Sequence, residues 1–414
     1  MKFLSKKLKK IWWRVKSIGA MRYYGHPSKK LKIVGVTGTN GKTTIATLLY
    51  KVATALGYKA GLIGTIENII VDERREVTHT TPDSVSLTKL LSEMAAKECE
   101  YVFMEVSSHA LDQNRVWGIN FTGGIFTNLT HDHLDYHKNL ENYFLSKRKF
   151  FRMLSESAFA LSNADDERGK AMIEGSKARK FLYEFTNIEG PASLDKRFQG
   201  EIIKIDVSGI ELKIGGGIIK SKLLGKFNAY NLLAVWSACE LLGFDMKKVK
   251  NILENIEPPR GRFEHFISKE GVLAIVDYAH TPDALEKVIL TAREIKSGGR
   301  LISVFGCGGD RDPQKRKIMG KIGASLSDIA IFTSDNPRGE DPEKIIEEMK
   351  ADLSPEELQK VKTIPIRHKA ILEAVKIAQK GDVILVAGKG HEDYQEIKGV
   401  KRHFDDMEEL KKLF

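Results

Sequence analysis

Three groups of residues in this 414-residue chain have the types and spacing to handle phosphate, metal and carboxylate. The first is Thr37-Gly38-Thr39-Asn40-Gly41-Lys42-Thr43-Thr44, which follows the β-branched run Lys32–Val36 and leads into an apolar segment of helical period. Gly38 and Gly41 let the backbone turn tightly and bring its N–H groups against phosphate oxygens. Lys42 adds a point charge at the outer phosphates, and the Thr43 hydroxyl can ligate Mg²⁺. A nucleoside triphosphate is the expected ligand. The spacing departs from G-x-x-x-x-G-K-[ST], because Val36 stands where the first glycine belongs and Gly35 lies one residue early. The second group is Glu105-Val106-Ser107-Ser108-His109, with a carboxylate at the carboxyl end of a strand-like run, where open parallel sheets gather their ligands. Glu105 is a candidate Mg²⁺ ligand. The third is Thr127–His137, whose three histidines and two aspartates within seven positions are hard to reconcile with a core.

The elements that must position these residues alternate. Strand-like runs at Lys32–Val36, Tyr101–Val106, Gly124–Thr127 and Phe159–Leu161 interleave with helix-like ones at Thr43–Leu56, Ser84–Lys97 and Leu140–Leu154, which predicts a parallel sheet covered by helices. Residues 201–220 alternate apolar and polar around glycines, predicting an antiparallel excursion before a helix over Asn228–Leu242. Pro258-Pro259-Arg260-Gly261 breaks the pattern. A second series follows: strands at Leu273–Val276, Leu301–Phe305, Ile329–Phe332 and Val383–Val386, with helices at Pro282–Lys296, Lys315–Leu326 and Pro342–Met349. The expected organisation is an N-terminal segment over 1–31, a central P-loop-type parallel-sheet ATPase domain over 32–260, and a smaller Rossmann-like domain over 261–414.

Composition bounds the rest. With 42% hydrophobic and 29% charged residues, the chain reads as a globular enzyme of two or three domains. No apolar run approaches the ~20 residues that span a bilayer. Cys99, Cys239 and Cys307 are scattered and in no metal-like spacing, which fits a reducing cytoplasm. The net charge of +11 is concentrated at the N-terminus, since the first acidic residue is Glu67. There Lys2, Lys6, Lys7, Lys9, Lys10, Arg14, Lys16 and Arg22 surround a helically spaced stripe of Leu4, Leu8, Ile11, Val15 and Ile18, with Trp12 and Trp13 beside it. Two readings stand for residues 1–24: the stripe packs on the protein, or the helix lies on the inner face of a membrane. Nucleic acid is not an expected partner.

The loop T-G-T-N-G-K-T-T resembles that of the Mur ligases and their folylpolyglutamate-synthesising relatives. Further motifs occur in order: TTPD at Thr80–Asp83, EVSSHALDQNRV at Glu105–Val116, NLTHDHLDYH at Asn128–His137, GRFE at Gly261–Glu264, DYAHTPDAL at Asp277–Leu285, DNPRGEDP at Asp335–Pro342 and GKGHEDYQ at Gly388–Gln395. Together they resemble the Mur ligases that add the third peptide residue to the peptidoglycan precursor. That resemblance implies an ADP-forming ligase that phosphorylates a muramoyl-dipeptide carboxylate and passes it to an amine. It implies ATP contacts at Gly38–Thr44, Asn228, Asn231, Arg262 and Asp277. It also implies two Mg²⁺ ions on Thr43, Glu105, His133 and a carbamylated Lys147, the carbamate supplying the oxygen ligands that a hard cation prefers. With Lys42, these residues form the implied catalytic set. The acceptor would meet Thr80, Thr81, Ser107, Gln113 and Arg115. The added amino acid would meet Asp335, Asn336, Arg338, Gly388 and Glu392, with the Arg338 guanidinium favouring meso-diaminopimelate over lysine. A cytoplasmic monomer is expected.

One departure is plain. Family members carry a uridine-diphosphate-binding domain ahead of the phosphate loop, whereas only about thirty residues precede it here. The remnant Tyr24–Leu31 resembles the usual junction, so the domain reads as replaced. Three functions follow: a diaminopimelate-adding ligase, a related ligase for another or membrane-presented γ-glutamyl or peptide acceptor, and an inactive nucleotide-binding subunit. Retention of Lys42, Glu105, His133 and Lys147 together argues against the last.

Overall fold

The computed structural model describes residues 6–77, 79–186, 195–296 and 298–414. The chain divides into two compact units, with the principal boundary at residues 256–257.

In the first unit, helix α1 (Lys6–Tyr23) precedes β1 (Lys32–Thr37), α2 (Lys42–Ala55), β2 (Ala60–Ile63), β3 (Asn68–Ile70), β4 (Glu73–Arg75), α3 (Ser84–Ala96) and β5 (Tyr101–Glu105). Then come α4 (Ser108–Asp112), β6 (Gly123–Phe126), α5 (Leu134–His137), α6 (Leu140–Met153), β7 (Phe159–Asn163), α7 (Gly169–Ile173), β8 (Arg179–Glu184), β9 (Lys196–Asp206), β10 (Gly209–Ile214), β11 (Gly217–Ser221), α8 (Lys226–Leu241) and α9 (Met246–Asn255). The strands form an eleven-stranded sheet in the order β11-β10-β9-β8-β7-β6-β1-β5-β2-β3-β4. Its centre is parallel: Val36 lies opposite Glu105, and Thr37 opposite Phe126. β5, β6 and β7 are buried along their whole length, as strands covered on both faces must be. The carboxyl ends of β1, β5 and β6 therefore lie side by side, and the three chemistry-bearing groups leave the sheet together.

Gly35 has a packing role. A β-carbon there would sit 2.5 Å from Phe150 on α6, so this glycine lets the helix close on the sheet and is not a displaced phosphate-loop glycine.

The second unit holds β12 (Glu264–Ile267), β13 (Leu273–Asp277), α10 (Pro282–Ile295), β14 (Leu301–Phe305), α11 (Gln314–Leu326), β15 (Ile329–Phe332), α12 (Pro342–Lys350), α13 (Pro355–Leu358), β16 (Val361–Thr363), α14 (Arg367–Ile377), β17 (Val383–Ala387), a β18–β19 hairpin (Tyr394–Ile397, Val400–His403) and α15 (Asp406–Leu413). Its six-stranded sheet runs β12-β13-β17-β14-β15-β16, parallel except for the edge strand β12. Asp277, Ala387, Phe305 and Phe332 end neighbouring strands in register. The fully buried Arg367 donates to both Asp406 carboxylate oxygens at 2.7 Å and to Ala387 O at 3.0 Å, tying α14 to the end of β17.

The alternation read from sequence is present in both units. Strands β2, β3, β4, β8, β12, β16, β18 and β19 and helices α4, α5, α7, α9, α13, α14 and α15 lie outside that reading; most of them are brief or at a sheet edge, where too few residues repeat for a period to register, whereas β8 and the eleven-residue α14 are not.

Helix α1 overturns the packing reading of its stripe. The helix packs against α3, where Met21 Sδ lies 3.8 Å from Thr88 Oγ1, and its inner face of Ser17, Ala20 and Met21 is buried, at 1%, 6% and 3% exposed. Ile11, Val15 and Ile18 are instead 52%, 56% and 41% exposed, with Trp12 at 49%. Lys2 and Leu4 lie outside the described residues. Among the described residues no helix is long and apolar enough to cross a membrane.

Candidate active site

The phosphate loop is braced from β6. Asn40 N donates to Asn128 Oδ1 at 2.9 Å, Thr39 N donates to Asn128 O at 2.8 Å, and the Thr127 hydroxyl donates to Asn40 O at 2.6 Å. Gly38 has a φ of +151°, and a β-carbon there would overlap that Thr127 hydroxyl, so the loop admits only glycine. Gly41, the N-cap of α2, offers no side-chain hydrogen bond to the first turn, the local form of a helix start that receives an anion. Lys42 Nζ folds back on Gly38 O at 3.0 Å and Thr39 O at 2.7 Å. Thr44 is buried in the first turn.

Thr43 Oγ1 donates to Glu105 Oε2 at 2.9 Å, while Thr65 donates through N at 2.7 Å and Oγ1 at 3.1 Å to the same carboxylate. Glu105 is 1% exposed, so its position is held by these three donors. Thr65 escaped the sequence reading, since a lone threonine after β2 carries no pattern.

Lys147 is wholly buried on α6, with Nζ 2.7 Å from Gly38 O and 4.3 Å from the Tyr143 ring centroid. Burial, and then the neighbouring Lys42 charge, push its pKa well below the ordinary lysine range. His133 is placed differently. It sits on an exposed turn at φ 54°, 3.6 Å from Asp132 and edge-on to the His109 ring at 4.9 Å. Among the described residues no group of three or more His, Cys, Asp or Glu side chains is arranged to hold a metal. The expected ligand set would draw on a hydroxyl, a carbamate and phosphate oxygens, which such a group does not include.

His137, hydrogen-bonded to Ser108 at 3.0 Å, is held neutral: burial lowers its pKa from 6.5 to about 4. Because the folded value is depressed, an unfolded chain takes up the proton first, and stability is lost as pH falls from 6.5 toward 4. Urea melts of His137→Gln across this range are expected to show a flatter acid loss than the parent; parallel curves would exclude His137 as the titrating group.

Asn231 Nδ2 donates to Asn228 Oδ1 at 2.9 Å, and both side chains are buried. The Asn231 amide oxygen backs on Gly41. The acceptor set also gathers. Arg115 donates through Nε and Nη2 to Gln113 Oε1 at 2.9 and 2.7 Å and through Nη1 to Thr81 O at 2.7 Å. The Thr81 hydroxyl ties Glu105 O to Ser107 N, and the Thr80 and Thr65 hydroxyls lie 3.1 Å apart.

In the second unit, Asp277 accepts from Phe263 N at 2.8 Å and Ala279 N at 2.9 Å, and burial raises its pKa to about 6 against the pull of Arg262. Arg262 lies 4.7 Å over the Tyr278 ring, and its buried Nε has no hydrogen-bond partner among the described residues, as suits a phosphate contact. Asn336 Nδ2 donates to Glu392 at 2.8 Å, and Gly388 backs on the Asp335 carboxylate. Arg338 donates to Gly309 O at 2.8 Å and stands 3.7 Å from Glu396. Lys389, absent from the expected set, is fully buried and bridges Asn336 Oδ1 at 3.2 Å and Glu392 at 3.4 Å. Its place between two glycines in GKGHEDYQ was the available signal.

Residues 36–239 match the Mur ligase middle domain and residues 261–390 the Mur ligase glutamate ligase domain. The chain is 51% identical over 394 residues to the UDP-N-acetylmuramoyl-L-alanyl-D-glutamate–2,6-diaminopimelate ligase of Parabacteroides distasonis, covering 95% of this chain and 80% of that relative. It is 45% identical over 404 residues to the ligase of the same name from Clostridium botulinum, covering 96% and 80%. A solved structure of a UDP-N-acetylmuramoyl-L-alanyl-D-glutamate–2,6-diaminopimelate ligase superposes with a TM-score of 0.66 at 35% identity, covering 92% of this chain and 78% of that one. Folylpolyglutamate synthase of Thermotoga maritima shares the fold, with a TM-score of 0.69 at 16% identity over 91% and 90% of the two chains.

Proposed function

From the premise that this chain belongs to the Mur ligase family, we propose that it is an ATP-dependent, ADP-forming ligase that joins meso-diaminopimelate to a carboxylate of a muramoyl dipeptide in peptidoglycan precursor synthesis. The likeness to 2,6-diaminopimelate ligases, over 95% of this chain and 80% of the Parabacteroides distasonis relative, carries this reading.

The chemistry has two steps. A carboxylate oxygen of the acceptor attacks the γ-phosphorus of ATP, the bond to the bridging oxygen breaks, and ADP leaves. The neutral amine of the amino acid then attacks the acyl-phosphate carbon, and the tetrahedral intermediate expels phosphate as the nitrogen loses its proton. The N-terminus of α2 and Lys42 would hold the β- and γ-phosphates in line. Thr43 and Glu105 set hard oxygen donors side by side in a buried site, which fits Mg²⁺; that ion supplies charge neutralisation on the transferring phosphoryl group. Arg115 would orient the acceptor.

A second ion on Glu105, His133 and a Lys147 carbamate belongs to the same proposal. Its support is the depressed Lys147 pKa, which leaves a free amine able to bond to the carbon of CO₂ with release of one proton.

Phosphate release measured with meso-diaminopimelate or lysine, each with the uridine-linked dipeptide acceptor, tests the assignment. Diaminopimelate-dependent release is expected. Release with lysine alone, or with neither amino acid, would overturn it.

The exposed stripe favours one refinement. Ile11, Trp12, Val15 and Ile18 form an outward apolar face on a helix that contains seven basic and no acidic residues, the make-up of an element lying on an anionic lipid surface. Each Lys or Arg near such a surface adds about 1 kcal/mol of attraction. Binding to anionic vesicles is therefore expected to weaken with salt and to disappear in an Ile11→Ser, Val15→Ser, Ile18→Ser variant, whereas equal binding by both proteins would return the stripe to solvent.

A further inference from the structure

Helix α1 has an inner face as well. Trp13 and Lys16, one turn apart, line a cavity of about 130 Å³ together with His79, Asp83, Gln113 and Arg115. Gln113 and Arg115 are the candidate acceptor contacts, so a helix outside the matched family domains shares the acceptor's cavity. Its seat there is firm. Ser17 Oγ donates to Asn114 O at 2.8 Å in a buried contact, the Arg14 guanidinium lies 4.1 Å over the Trp117 ring, and Met21 is in the core.

Resting on the acceptor assignment above, we propose that Lys16 and Trp13 complete a subsite for an anionic, sugar-bearing part of the acceptor. The chemistry of the lining points this way. Lys16 and Arg115 bring two cations against one carboxylate, Asp83, which sits 3.0 Å from Lys16 Nζ and is held ionised. The cavity therefore carries a net positive charge into which a phosphate or carboxylate fits. Trp13, half-buried, offers the apolar face of a ring, and the Gln113 amide a hydrogen-bonding edge. At this volume the cavity is below the roughly 300–1,000 Å³ of sites that engulf a whole small ligand, so it takes one substituent of the acceptor.

Asp83 separates a subsite from a mere ion pair. Its carboxylate also caps α3, accepting from Val85 N at 3.1 Å, and asparagine caps equally well. If Lys16 only pins α1 to α3, Lys16→Met and Asp83→Asn must weaken the protein in the same sense. If Lys16 binds the acceptor, the two variants diverge.

The experiment is calorimetric binding of acceptor to the full chain without ATP, using the uridine-linked muramoyl dipeptide, the muramoyl-dipeptide 1-phosphate and the unphosphorylated muramoyl dipeptide. Lys16→Met is expected to weaken binding by about tenfold or more, the scale of one lost charge-assisted contact. Asp83→Asn should bind as tightly as the parent or more tightly, Lys16→Arg should restore binding, and Trp13→Leu should weaken it. A loss confined to the two phosphorylated acceptors identifies the anion as phosphate, while an equal loss for all three identifies it as a peptide carboxylate. Unchanged binding in Lys16→Met, or parallel losses of binding and melting temperature in Lys16→Met and Asp83→Asn, would overturn the proposal. Because binding is read without turnover, failure of the diaminopimelate assignment would leave this result intact, and the reverse also holds.

Discussion

Lys147→Ala is expected to lower the rate of amide formation by about 10²–10³-fold, the scale of removing one preorganised electrostatic contact from an active site. The side chain is wholly buried, its Nζ reaches Gly38 O, and its depressed pKa suits carbamate formation. Short carboxylates that can enter the vacated space should recover part of the rate by restoring oxygen ligands. Lys147→Met, which keeps the volume, should stay as inactive as alanine while holding more of the parent stability. Phosphate-release rates with and without added acetate, alongside melting temperatures, make the check; near-native turnover in either variant excludes the carbamate role.

Arg338→Ala is expected to weaken use of meso-diaminopimelate by about 2–5 kcal/mol, because the distal carboxylate loses its guanidinium partner. At about 1.4 kcal/mol per tenfold, that loss is thirtyfold or more. The support is local. Arg338 is anchored to Gly309 O beside Asn336, which is itself held by Glu392 and the buried Lys389. The KM for the amino acid should carry the effect while the KM for ATP stays within about twofold, since Arg338 touches none of the candidate nucleotide residues. Preference for lysine by the parent enzyme, or an equal loss with both amino acids in the variant, would remove Arg338 from the specificity role.

What the sequence determined by itself was whatever local spacing encodes. The glycine turn between a β-branched run and a helical period, a carboxylate at a strand end, and the alternation of strands and helices in both units were legible because each depends on residues near one another in the chain. Tertiary structure decided the rest. Apolar periodicity disclosed a stripe on α1 but not which face would dock. The docked face is Ser17, Ala20 and Met21, whose small members allow close approach and register weakly as hydrophobic, so the greasier stripe is left outside. In the same way, the placing of Asn231 against Gly41, of Thr65 on Glu105 and of Lys389 between Asn336 and Glu392 joins residues that are 190, 40 and 53 or 3 positions apart. No window of sequence holds most of those pairs, because it is the parallel register of the strands that brings their ends together.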